Sequence, residues 1–265
     1  MKNPAMTTED PVKLVSDLEL AFPQHKVDLL ETKDPLSIAF ESAQQENEES
    51  FMSNKGLISF VSEVEGQNRK DVLNSVLIAQ LAADKQFPVT DEITPEEMKN
   101  WYKEFNRVMR GVGWTIESEE FSKFESSKSV FEMENVILDI LGTAIGGSAL
   151  KIVMKTLEAF KKMSDSDNKL IAFEKNTHTM NKGNFQVGLA NQTNESLSLN
   201  LTAFTLSTSK MIKQILFFKS SKDETEVNTY SMKYTLNKEV YEQVRDMIIE
   251  KLGSNVQSFV TEIEI

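Results

Sequence analysis

Two histidines, His25 and His178, are all the imidazole this sequence offers for general acid–base chemistry or for a metal. They stand in AFPQHKVDLL and EKNTHTMNKG, far apart, and neither has a second histidine at helical spacing. A catalytic zinc needs several protein ligands converging on one ion, so each histidine reads as a surface side chain. No G-x-S-x-G elbow supports a Ser–His–Asp arrangement, although His178 and its neighbouring carboxylates are where an unrecognised enzyme would keep its chemistry. Cysteine is absent, which removes thiolate nucleophiles, disulfides, thiolate zinc sites and iron–sulfur clusters together.

Phosphate and carboxylate chemistry fare no better. The richest glycine cluster, Gly142-Thr-Ala-Ile-Gly146-Gly147, lacks the Lys-Ser/Thr of a phosphate loop and the strand–helix setting of a dinucleotide site. Carboxylate pairs such as Glu119-Glu120 and Glu132/Glu134 are what a chain with 41 acids must contain. The run Asp223–Glu226 is too short for a calcium loop. The expectation is therefore no catalytic residues, no metal and no cofactor.

Charge narrows the partners. The net charge is −12, and acids outnumber bases about two to one in residues 1–100 but nearly balance them afterwards. Nucleic-acid affinity comes from clustered Lys and Arg that release counterions. The four arginines, Arg69, Arg107, Arg110 and Arg245, form no such footprint, so a nucleic-acid partner is not expected. The first residues, MKNPAMTTEDPVKLVSDLEL, hold no apolar signal-peptide core, which suits either the cytoplasm or release or injection by a non-Sec route.

The hydrophobic period divides the chain. Up to residue 164 it is helical: Thr8-Glu9-Asp10-Pro11 opens one helix, and Thr94-Pro95-Glu96-Glu97 is a capping box that opens another. The stretch GLISFVSEVEGQNRKDVLNSVLIAQLAADK reads as two more helical runs, and Ser129–Glu132 as a second capping box. From residue 165 apolar residues alternate with polar ones, as in Phe185, Val187 and Leu189, and turn residues separate the runs. ILFF at 215–218 reads as a strand buried on both faces. Asn237 caps a closing helix that Gly253 stops, and FVTEIEI adds a last strand. The expected fold is α+β: a helical domain over 1–164, then a small antiparallel β-sandwich-like domain over 165–265 with a closing helix. In size and texture the β half is similar to the compact sandwiches of small cytolysins and lectins, without a diagnostic motif.

One segment stands out. Residues 135–162 read NVILDILGTAIGGSALKIVMKTLEAFKK, an apolar hairpin broken by glycine. Its apolar positions are Val136, Ile137, Ile140, Leu141, Ile145, Leu150, Val153 and Leu157, with Gly142, Gly146 and Gly147 as a hinge and Ser148 as the cap of its second helix. It is too short to cross a bilayer, which takes about 20 apolar residues. It reads either as buried core, with Gly142 and Gly146 allowing a close helix approach, or as a metastable element that opens at the glycines and enters a membrane. The second reading implies a non-enzymatic membrane-acting protein of the pore-forming toxin or virulence type. Its β domain would recognise a surface receptor or the target-cell membrane, and it would work as a homo-oligomer; Trp114, Tyr230 and Tyr234 read either as contacts for that surface or as core, Trp114 first as part of a seam between the two halves. The alternative is a soluble protein-binding or assembly module with no membrane step.

Overall fold

The computed structural model describes residues 9–22, 48–126, 129–194, 196–253, 256 and 259–265; His25 lies outside them. Asp10 opens helix α1 (Pro11–Asp17) by accepting the amides of Val12 and Lys13, with proline at the first helical position. A tight hairpin follows, β1 (Glu49–Ser53) and β2 (Gly56–Phe60), turning at Asn54-Lys55 with Asn54 at φ 52. Helix α2 (Gly66–Gln86) is buried over most of its length. The Thr94 box opens α3 (Pro95–Gly111) as its sequence requires: Thr94 Oγ1 accepts the Glu97 amide at 3.2 Å, and Glu97 accepts the Thr94 amide at 2.8 Å.

The remaining elements are β3 (Trp114–Lys123), β4 (Val130–Glu132), α4 (Met133–Ala144), α5 (Gly147–Lys162), α6 (Asn168–Thr177), β5 (Lys182–Thr193) and β6 (Ser196–Thr208). A 3₁₀ turn at Ile215–Phe217, β7 (Lys219–Ser221), β8 (Thr225–Leu236), α7 (Lys238–Leu252) and β9 (Val260–Ile263) complete the elements among the described residues. Seven strands form one sheet in the order β3-β8-β6-β5-β2-β1-β9, and β4 pairs with β7 apart from it. Every neighbour in the large sheet is antiparallel except β2 and β5.

This α+β arrangement departs from the expected one in identifiable ways. There is one mixed sheet flanked by helices rather than a sandwich, and β1, β2 and β3 come from before residue 165, so the chain is not clearly two separate domains. Residues 49–60 are strands, not helix. Residues 168–177 are a helix, not part of the β region. Ser129–Glu132 is not a cap, because Val130–Glu132 pairs with Lys219–Ser221 and the helix begins only at Met133. ILFF is a 3₁₀ turn with Ile215 and Leu216 buried, so its apolarity reports burial and not strand geometry.

The two faces of the sheet are covered by different layers. Helices α2, α3 and α7 pack on Phe51, Ile58, Phe60, Leu199, Leu201 and Tyr234 of one face. Helices α4, α5 and α6 pack on Met52, Leu57, Phe185, Val187, Leu189 and Phe204 of the other. Strand β5 serves both through alternation, since Asn184 and Gln186 point one way and Phe185 and Val187 the other.

The first layer is tied by buried polar groups. Arg69, fully buried on α2, pairs with Glu49 of β1 and donates from Nε to the Val64 carbonyl at 2.8 Å. Asp71 takes a two-pronged contact from Arg245 of α7 at 3.0 and 2.9 Å. Asp84 accepts from Lys55 of the β1–β2 turn and from the Trp101 ring of α3. Gln80 donates to Gln186 at 2.8 Å, and the Tyr102 hydroxyl donates to Asn184. Breaking a buried pair strands the surviving charge. Arg69→Met should therefore lower stability by about 3 to 5 kcal/mol in chemical denaturation. The double change Arg69→Met with Glu49→Leu should recover most of that loss, because no lone charge remains.

Candidate functional site

The hairpin α4–α5 forms much of the second layer, and its sequence folds as two amphipathic helices. Val136, Ile137, Leu141, Ile145, Val153 and Leu157 are buried, with Ile152 and Phe160 beside them, while Ile140 and Leu150 are half-buried. The opposite side of α5 carries Lys151, Lys155, Lys161 and Lys162 against a single acid, Glu158, and exposes Met154 at 41%. At 16 residues α5 spans about 24 Å, less than the roughly 30 Å of a hydrocarbon core. Among the described residues no helix is long and apolar enough to cross a membrane.

Its attachment to the sheet is almost wholly apolar. The buried polar contact is a hydroxyl trio: Ser50 of β1 lies 2.6 Å from Thr156 of α5 and donates to Ser59 of β2 at 2.9 Å. Thr156 also bonds back to the Ile152 carbonyl in its own helix at 2.9 Å. The hairpin's ion pairs, Lys155–Glu48 and Lys161–Glu134, lie at the surface, where such pairs contribute little.

The glycines sit at the turn between the helices. Gly142 makes ordinary contact distance with Leu150, while a methyl group added at Gly146 or Gly147 would meet nothing within 4 Å. The close helix approach expected at Gly146 is therefore absent. Gly146 is the N-cap of α5 at φ −60 and ψ 159, an extended conformation open to any residue, and it takes the capping place expected of Ser148. Beneath this end of the hairpin the sheet is bare. A cleft of about 650 Å³ separates Asp139, Ile140 and Thr143 from a floor of Thr202, Ser231 and Lys233 on β6 and β8. The tip thus overhangs open space while its base rests on the core.

Of the two readings of Trp114, Tyr230 and Tyr234, the structure gives the core seam and not an exposed recognition face. Trp114 and Tyr234 are buried, edge to face at 6.3 Å, and the Tyr234 hydroxyl donates to Asn106 of α3. Tyr230 is half-buried; its hydroxyl donates to Glu119 at 2.6 Å and accepts from Asn106 at 3.1 Å. Burial drives the Tyr230 pKa up, reinforced by Glu119, so the phenol stays neutral. These three residues are part of the seam that joins α3 to the sheet.

His178 has both ring nitrogens engaged, Nε2 with Glu174 at 2.8 Å and Nδ1 with the Thr179 carbonyl at 2.7 Å. Burial pulls its pKa down, but the Glu174 carboxylate and the Thr179 carbonyl outweigh this and hold it above 6.5. Among the described residues no three His, Asp or Glu side chains gather as a metal site.

Two outcomes follow from this geometry. Gly147→Ala should leave the fold intact and raise stability by about 0.4 to 1 kcal/mol, because it restricts the unfolded chain without a clash, whereas Gly146→Ala should gain nothing, since alanine is a poorer N-cap than glycine. For His178 the folded pKa exceeds the unfolded one. Its stabilisation is thus full below the ordinary histidine pKa and is lost as pH rises through the folded value. The His178 contribution to melting temperature should fall as pH rises above the ordinary histidine value of about 6.5, and a His178→Gln variant should flatten that decline.

No protein-family model matches the sequence, and none of the curated protein sequences matches it. Solved structures give distant likenesses. A delta-endotoxin aligns at 13% identity and TM-score 0.36, over 69% of this chain and 83% of that one. The activated Cyt2Ba monomer from Bacillus thuringiensis subsp. israelensis aligns at 10% identity and TM-score 0.31, over 49% of this chain and 78% of its own. The Evf virulence factor aligns at 12% identity and TM-score 0.36, over 82% of this chain and 90% of its own. All three TM-scores fall below the level that marks a shared fold.

Proposed function

We propose that this chain is a non-enzymatic, membrane-acting protein of the pore-forming or virulence type, in which the α4–α5 layer leaves the sheet at a bilayer. The observation that carries this is the difference in attachment between the two layers. The α2–α3–α7 layer is locked to the sheet by the buried pairs Arg69–Glu49 and Asp84–Lys55 and by amide hydrogen bonds, and separating it would strand charges. Among the described residues the α4–α5 layer lifts away without stranding a buried charge, and it bares the hydroxyls of Ser50, Ser59 and Thr156, which water satisfies.

Magnitudes explain why such a layer stays shut in water. Exposing Val136, Ile137, Leu141, Ile152, Val153, Leu157 and Phe160 costs on the order of 10 to 20 kcal/mol. That rivals the whole stability of a domain. Against hydrocarbon the cost disappears, because lipid tails are as apolar as the sheet face they replace. With its lysines outward, α5 has the composition of a helix that lies in the interface plane rather than one that spans it. Lifting the layer also bares Met52, Leu57, Phe185, Val187, Leu189 and Phe204, a face that lipid or a second copy of the chain would have to cover. Homo-oligomerisation at the membrane belongs to this reading for that reason.

A second reading, an assembly module with no membrane step, is favoured by edge strand β3. Phe121 there is 67% exposed beside Tyr230, where another chain could pair. Glu117, Glu119, Glu120 and a register shift at Ile116/Ser118 oppose that pairing.

Because the chain has no cysteine, one engineered disulfide separates the two readings. Ser50→Cys with Thr156→Cys joins β1 to α5 where the native oxygens are 2.6 Å apart. The native chain should release dye from liposomes. The oxidised variant should release none, and reductant should restore release. Unchanged leakage with the disulfide formed would show that the layer need not move.

A further inference from the structure

Two loops lie together at the end of the sheet where β5 begins and β6 finishes. One carries Met180, and the other reads Lys210-Met211-Ile212-Lys213. The Ile212 amide donates to the Met180 carbonyl at 2.9 Å, so the methionines are neighbours, and they are exposed at 60% and 63%. Met211 borders a groove of about 860 Å³ that Lys175, Lys210, Lys213, Lys219 and Phe217 also line. In a chain of net charge −12 this region stands apart: residues 196–222 hold four lysines and no acid.

The acids nearby are already committed. Glu174 accepts from His178 and from the Ile215 amide at 3.0 Å, and Asp165 accepts from Gln214 at 3.3 Å. Lys210 and Lys219 meet Glu224 and Glu132 in exposed pairs, which exchange readily for another anion. Lys175 and Lys213 make no ion pair among the described residues.

We infer that these two loops are the surface by which the protein first docks on an anionic lipid bilayer, with Met180 and Met211 entering the interface and the lysines meeting lipid phosphate. Unpacked methionines flanked by lysines match a surface that is apolar beneath and negative above. A nucleic acid would use the lysines but offers the methionines nothing, and the chain's net charge would oppose it elsewhere. Methionine adds a flexible, polarisable side chain that adapts to a disordered contact. The inference rests on the membrane-acting reading and adds a step before the α4–α5 layer moves.

The test is co-sedimentation of the full chain with phosphatidylcholine vesicles, with and without phosphatidylserine, alongside dye release from the same vesicles. Binding should require phosphatidylserine and weaken as salt rises. M180S/M211S should weaken it roughly tenfold per methionine, and K175Q/K213Q about fivefold per lysine, with melting temperatures unchanged because all four side chains are exposed. The oxidised Ser50→Cys/Thr156→Cys protein should still bind but release no dye, which separates docking from the movement of the layer. Leakage that all four loop substitutions leave unchanged would overturn the docking surface and spare the role of the layer. Phosphatidylserine-dependent binding that the loop substitutions abolish, without any leakage, would sustain the docking surface and sink the pore-forming reading. Failure to bind any vesicle, or binding of duplex DNA in its place, would overturn the inference.

Discussion

The parallel pairing of β2 with β5 is the contact on which the molecule depends. Gly56–Phe60 lies beside Gln186–Ala190, and without that junction the chain would hold a four-stranded antiparallel sheet and a separate three-stranded one, β2-β1-β9. The junction needs backbones to meet closely over a crowded face. A Cβ on Gly188 would lie 2.8 Å from a Leu201 methyl and 3.0 Å from an Ile58 methyl, so glycine lets the β2 and β6 side chains close over it and a larger residue would make them turn aside. Both helical layers then reinforce the seam. Gln80 reaches from α2 to Gln186 on one side, and Thr156 of α5 sits over Ser50 and Ser59 on the other.

The two reinforcements differ in kind. Directional bonds between buried amides, phenols and ions permit one register, since any displacement leaves a polar atom without a partner in a medium that cannot replace it. Even in place, Asn184 and Gln186 accept through their side-chain oxygens while their side-chain amide nitrogens go unpaired, so the first layer gains specificity at some cost. The second layer is held mainly by apolar area, with the Ser50–Ser59–Thr156 hydroxyls as its buried polar contact among the described residues. Apolar contact has no preferred direction and depends on what lies outside it. Strand β5, reading Asn-Phe-Gln-Val-Gly-Leu-Ala from residue 184, writes both kinds of attachment in one alternating run.

Local features were legible from the sequence wherever a single residue type has a single structural use. The caps at Asp10, Thr94 and Asn237 and the positive φ of Gly253 lie where their side chains demand. Alternation exposed β5, β6 and β8, and the final strand was visible in FVTEIEI. The hairpin β1–β2 was missed because all ten of its residues are buried, leaving no polar face to mark a period of two. Its serines look like surface residues, yet Ser50 and Ser59 are inside, where Thr156 meets them. The single mixed sheet was missed because nothing local in Gly56–Phe60 names a partner more than 120 residues away. The apolar hairpin at 135–162 was found from composition, but not that its glycine turn overhangs a cleft, which depends on β6 and β8 beneath it. The lysine–methionine loops were missed because short loops carry no periodicity.

The position of β1 and β2 inside the sheet has a consequence for synthesis. Strand order places them between β5 and β9, yet they leave the ribosome before either neighbour exists. A nascent chain carrying this hairpin has two open backbone edges until residues 186–190 emerge on one side and Val260–Ile263 on the other. Such edges invite pairing with other chains, and contacts between distant segments form late. The native sheet therefore closes only after its last strand is made, and through most of translation the chain's safety from aggregation rests on helices α2 and α3, which are made in between.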